Sequence, residues 1–96
     1  MQAQSHLLSV TASPEGDVVT IHADIAGLEF LRATVDRLLS KLQTGQCDHD
    51  HLRTSDWAGE ELSKSMLITE RDSGHSTVHH LEVLAWTAEW KVRHGL

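Results

Sequence analysis

The chain has one cysteine, one proline, no tyrosine, and only 8 lysines and arginines in 96 residues. A single thiol, Cys47, excludes an internal disulfide, so the fold must hold without a covalent staple, and the cytoplasm is the expected compartment. The 14 acids outweigh the 8 bases and leave a net charge of -6. That balance argues against a nucleic-acid binder, which carries a basic stripe. It suits either plain solubility or a basic protein partner. No apolar run approaches the ~18 residues of a membrane span. The opening MQAQSHLLSV lacks the basic start and apolar stretch of a secretory signal. There is no Gly-flanked nucleophile elbow and no phosphate loop. Repeats and low-complexity tracts are also missing. The length fits one domain, residues 1–96, with a thin core.

Local patterning predicts an α+β domain. Residues 6–12 and 17–24 read as strands joined by Ser13-Pro14-Glu15-Gly16, a turn that sets Val10 opposite Val19 and Leu8 opposite Ile21. Asp24 reads as the N-cap of a helix over 25–42, with Leu28, Leu31, Val35, Leu38, Leu39 and Leu42 as its apolar stripe and Gly45 as its stop. Phe30 falls outside that stripe and is either a sheet-edge contact or an exposed binding residue. Residues 64–71 and 77–86 read as a second hairpin through Ser73-Gly74, pairing Met66 with Leu81 and Ile68 with His79. The expected order is ββαββ, an antiparallel sheet of about four strands with the helix on one face. The other face would carry Val18, Leu67, Val78, Leu84 and Trp86. It needs cover from the 47–63 loop, from the tail 87–96 as a short helical turn, or from a second copy in a homodimer.

The chemistry concentrates in residues 47–63, CDHDHLRTSDWAGEELS. His49 and His51 stand two apart, so an extended backbone puts both imidazoles on one face. With a third ligand, His79 first or else His80, His75 or an acid, they would form a metal site, and a small histidine-rich metal-binding or metal-dependent domain is the alternative reading. The bland reading, hydrogen-bonded or surface histidines, is preferred, and no cofactor is expected. Cys47 near histidines in sequence does not make a catalytic dyad, and Glu60 and Glu61 point apart, so no enzyme is expected. Trp57 beside a glycine reads as a buried anchor that holds the loop together with Leu62, with Gly59 taking a backbone conformation that Ala58 would resist. Asp48, Asp50, Asp56, Glu60 and Glu61 against Arg53 give this stretch -4 of the total charge.

Three strings stand in order: Asp48-His49-Asp50-His51-Leu52, Trp57-Ala58-Gly59-Glu60-Glu61-Leu62, and His79-His80-Leu81-Glu82-Val83 with Trp86. With Gly27-Leu28-Glu29-Phe30-Leu31 at the helix start, they resemble the predicted immunity protein 32 family of bacterial polymorphic toxin systems. The resemblance covers residues 18–86. It departs at Ala58, where the family motif carries glycine. It implies a cytoplasmic protein that binds a cognate toxin and blocks it by occlusion. An acidic 47–63 surface would steer to a basic toxin. The partner-binding residues would be Asp48, His49, Asp50, His51, Asp56, Trp57, Glu60 and Glu61, with Phe30 as a further contact.

Overall fold

Apolar side chains alternating with small polar ones make the first ladder. In the computed structural model, which describes residues 6–96, β1 (Leu8–Ala12) pairs antiparallel with β2 (Val19–Ala23). Val10 lies opposite Ile21 and Leu8 opposite Ala23, so the expected pairing is displaced by two residues. The connection takes residues 13–18 because Ser13 closes a wider loop. Its amide donates to the Val18 carbonyl at 2.9 Å, and its hydroxyl accepts from the Val18 amide and donates to Asp17. Strand faces repeat every two residues, so the shift leaves Leu8 and Val10 on the same side.

The helix α1 (Ile25–Gln43) starts where expected. The Asp24 carboxylate accepts from the amides of Gly27 at 2.8 Å and Leu7 at 3.0 Å. Those two bonds hold it below the usual carboxylate range. Gly27 is required by space, since any Cβ there would collide with the Leu7 carbonyl. The helix closes through Gly45, with Gln46 N–H to Lys41 O at 3.0 Å and Gly45 N–H to Leu42 O at 2.9 Å. The inward face is rotated from the expected stripe. Gly27, Thr34 and Leu38 are buried, whereas Leu28, Val35 and Leu39 are about half exposed. Phe30 turns inward, packs on the core and stacks on His6.

The second half of the chain departs further from expectation. Residues 48–53, read as loop, form β3 (Asp48–Arg53), which pairs antiparallel with β5 (His80–Ala85). Residues 64–71 contain no strand; α2 (Ile68–Asp72) takes their place, and the Ser73-Gly74 turn ends that helix instead of closing a hairpin. A short β4 (Ser76–Thr77) adds to β1, giving one sheet ordered β2-β1-β4 and a separate β3-β5 ribbon. The tail forms α3 (Ala88–Arg93). The domain is therefore α+β with antiparallel sheets, one long helix, and the overall order of two strands, helix, then strands.

The core is small. Leu8, Val10, Leu52 and Leu62 are each no more than 1% exposed, with Ala23, Phe30, Leu31, Val78 and Leu81 packed around them. Leu62, expected with Trp57 to hold the 47–63 segment, comes from an irregular stretch and enters the core itself. Leu62→Ala is expected to destabilise the fold by ~2–5 kcal/mol, read as a lowered denaturant midpoint.

The opposite face of β1 carries Ser9 and Thr11, both fully buried. Over Thr11 and His22 its cover is Glu70 of α2. Glu70, 8% exposed, accepts from the Leu67 amide at 2.9 Å, the Thr11 hydroxyl at 2.9 Å and His22 Nε2 at 2.9 Å. This explains why 64–71 coils: a strand there could not bring its carboxylate onto β1 and β2 together. Of the apolar face expected on the far side, Val78 packs on the core and Trp86 meets the His94 ring at 4.8 Å, tilted by 44°. Val18, Leu67 and Leu84 remain about half exposed.

The Leu67 amide, then His22 and Thr11, hold the Glu70 carboxyl below its ordinary value, against the opposing effect of burial. Its folded value is depressed, so the stability it contributes is present above the unfolded value, about 4.3. It is lost as pH falls through the folded one. Thermal unfolding should therefore show a falling midpoint as pH drops below about 5, and Glu70→Gln should flatten that slope.

Candidate functional site

Period-two alternation divides the β3–β5 ribbon into two faces of different chemistry. Asp48, Asp50 and Leu52 point toward α1, opposite Ala85, Val83 and Leu81. Arg37 of α1 bonds Asp48 at 2.9 Å and Asp50 at 3.1 Å. The His49 amide first, then Arg37, keeps the Asp48 carboxyl below its usual range. These two acids therefore seat the helix; they do not form an open acidic surface.

The outward face carries His49, His51 and Arg53 beside Leu84, Glu82 and His80. Here the rings form a ladder. His49 and His51 meet edge-on at 4.9 Å between centroids, and His51 lies 4.9 Å from His80. His51 Nδ1 and His80 Nε2 share a hydrogen bond of 2.7 Å, one ring donating and the other accepting. Trp57 continues the series, 5.8 Å from His80 and 6.4 Å from His79, whose plane is parallel to its own within 2°. Acids flank both ends. Glu82 Oε2 is 3.7 Å from His51 Nδ1, and Asp56 Oδ2 is 3.9 Å from His79 Nδ1. Lys64 pairs with Asp56 at 2.8 Å and lowers that carboxyl's pKa. At the far end of the ribbon a shallow hollow of about 310 Å³ opens among Cys47, His49, Leu84 and Trp86.

Trp57 is not the buried anchor expected of it. Its residue is 55% exposed, and Leu62 anchors the loop instead. The loop is otherwise held by backbone. Thr54 O accepts from the amides of Trp57 and Gly59, Arg53 O accepts from Leu62, and the Arg53 amide donates to Glu61 Oε1 at 2.9 Å. The roles expected of Ala58 and Gly59 are exchanged. Ala58 adopts the left-handed conformation, φ 65°. Gly59 is needed for space, because a Cβ would stand 2.5 Å from Arg53 Cβ and 2.7 Å from its carbonyl oxygen.

His79, the expected third metal ligand, turns Nδ1 to the Thr54 hydroxyl at 2.7 Å. The residue that joins His51 is His80. Among the described residues no group of three or more His, Cys, Asp or Glu side chains is arranged to hold a metal ion. Cys47 Sγ accepts from the Thr87 amide at 3.4 Å, at the start of α3. His80 was one of several partners open to the His49/His51 pair from sequence, but neither its choice over His79 nor the role of Glu82 could be read, because their strand was paired with 64–71; the alternating His49/His51 and His80/Glu82 were the available signal. The arrangement offers flat ring faces with polar groups at the margins, suited to packing against another macromolecule.

No family model, curated protein or solved structure matches the chain.

The exchanged roles of the loop residues give a direct test. Gly59→Ala is expected to lower stability by ~1–3 kcal/mol through the forced displacement of β3. Ala58→Gly should change it by less than ~1 kcal/mol, since relief of the left-handed strain offsets the added freedom of the unfolded chain. Denaturant midpoints of the two variants decide the order.

Proposed function

We propose that this chain is an immunity-type interaction protein that binds a cognate bacterial toxin and neutralises it by occlusion, with the outward face of the β3–β5 ribbon as the contact surface. The observation that carries the reading is the exposed Trp57 ring set in a ladder of histidines. Solvent-facing tryptophan on a fixed backbone is the side chain that most often dominates protein–protein binding energy. The order of the motifs through residues 18–86 supports the family resemblance. So does Ala58, whose left-handed backbone is the conformation that the family's glycine would adopt most easily. Asp56 and Glu82 border the ladder, and a net charge of -6 favours encounter with a basic partner. Asp48 and Asp50 leave the contact set proposed from sequence, being engaged with Arg37, and half-buried Phe30 becomes a core contact. His49, His51, Asp56, Trp57, Glu60, His79, His80 and Glu82 make up the proposed surface.

The test is a binding titration against the product of the toxin gene adjoining this one, at low and high ionic strength. Trp57→Ala is expected to weaken binding by roughly 30-fold, the scale of a hot-spot residue, with little change in unfolding midpoint. Asp56→Lys combined with Glu60→Lys should slow association mainly at low salt. If both variants bind as wild type under both conditions, this face is not the recognition surface.

A further inference from the structure

We propose that two copies of this chain pair edge to edge through β5 about a two-fold axis, forming a continuous β3-β5-β5-β3 sheet with the two α1 helices side by side on its inner face. The starting point is an open edge. Among the described residues β5 pairs with β3 alone, so its other side presents unpaired backbone groups, which are a template for a further strand. The surface on that side is apolar. Val35, Leu38, Leu39 and Leu42 of α1 meet Val83 and Ala85 of β5 around an open hollow of about 200 Å³. Val35 and Leu39 are each 49% exposed there. The other flank of the helix is already tied to β3 by Arg37.

One displacement satisfies both layers. Joining two ribbons at β5 separates their centres by two strand spacings, ~9.6 Å. Helices packed side by side prefer 8–10 Å between axes, so ~9.6 Å serves both layers. A second copy thus fits at the spacing its own helix requires, which an unrelated strand without a helix would leave half filled. The register follows from like faces meeting. Val83 opposite Val83 sets Leu81 against Ala85 on the inner face. Of the two neighbouring two-fold registers, one would set Glu82 against Glu82, which is unfavourable, and the other, Leu84 on Leu84, would leave Leu81 without an inner-face partner in β5. The contact is ~20 Å along the strand and ~20 Å deep through sheet and helix, ~400 Å² per partner, about half that of a standard stable complex, so the pairing is a weak one that depends on concentration. The ladder of Trp57 and the histidines lies on the outward face and stays open, so this pairing stands whether or not that face binds a toxin.

Sedimentation velocity on the full chain, up to about 100 µM, is expected to show a dimer. Val35→Lys with Leu39→Lys should raise the dimer dissociation constant by at least about 100-fold through buried, unpaired charge, with the helical circular dichroism retained. Ile25→Lys is the control. That residue is 79% exposed on the same helix but lies beyond the contact, and the variant should remain dimeric. Hydrogen exchange supplies a second reading that needs no variant: amides of residues 80–85 should gain protection as concentration rises. A wild-type monomer throughout, a dimer that survives both lysines, or exchange at 80–85 that ignores concentration would each overturn the proposal. Dissociation by Ile25→Lys would do so as well, by moving the interface to the start of α1.

Discussion

Among the described residues no strand of one sheet pairs with a strand of the other, so the molecule depends on the burial of four side chains drawn from three places. Leu8 and Val10 come from the three-stranded sheet, Leu52 from the ribbon, and Leu62 from the connection between them. Hydrophobic burial is non-directional, and this contact would tolerate sliding were it not pinned by backbone. The pins are specific. Leu8 donates to Ser63 Oγ and accepts from the Ser63 amide, both at 2.8 Å, while the Leu62 amide reaches Arg53 O at 3.0 Å. Leu62 is thus held on one side by β1 and on the other by the end of β3. The segment 61–63 acts as a strand-like strut without belonging to either ladder.

A core this small leaves polar groups to complete the fold. Ser9 and Thr11 are buried where a larger domain would place valine or leucine. Hydroxyls buried without partners are destabilising, and Glu70 meets this for Thr11 by accepting its hydrogen bond at 2.9 Å. One carboxylate also engages His22 and caps its own helix at the Leu67 amide. The short α2 is therefore positioned from its interior by one side chain more than by its apolar residues. Ile68 at its start is 70% exposed.

How much of this was legible follows from where the determining interactions lie. The bounds of α1 were readable nearly to the residue, because its cap and stop are local: Asp24 bonds Gly27, and Gly45 bonds Leu42; which face turns inward is set by remote packing and was not. The first hairpin kept its faces but not its register, since Ser13 and Asp17 widen the turn by side-chain bonds that alternation does not encode. The second hairpin was misread because KSMLITER carries strand-like spacing, while DHDHLR looks like loop by composition. What decides between them is remote. Glu70 finds Thr11 and His22 across the chain, and the acids of DHDHLR are neutralised by Arg37 from the helix. For the same reason His49 and His51 could be placed on one face from spacing alone, while His80 could not be joined to them until β3 and β5 were paired.

That pairing also explains why seven consecutive residues can serve two purposes without conflict. Along 48–54 every second side chain belongs to the fold: Asp48 and Asp50 fix Arg37, Leu52 enters the core, and Thr54 is fully buried and bonded to His79. The residues between them, His49, His51 and Arg53, point outward and carry none of that duty. A strand thus lets the outward set vary while the inward set holds the helix and core in place. The same logic assigns the loop that follows. Gly59, Glu61 and Leu62 are bound by space, hydrogen bonding and burial, and Trp57 is the large residue left outside. A side chain of that size kept at 55% exposure beside a rigid clamp contributes little to the fold's stability through burial. Its use must therefore be sought in what the outward face meets, with the backbone beneath it already ordered and little further entropy to lose on contact.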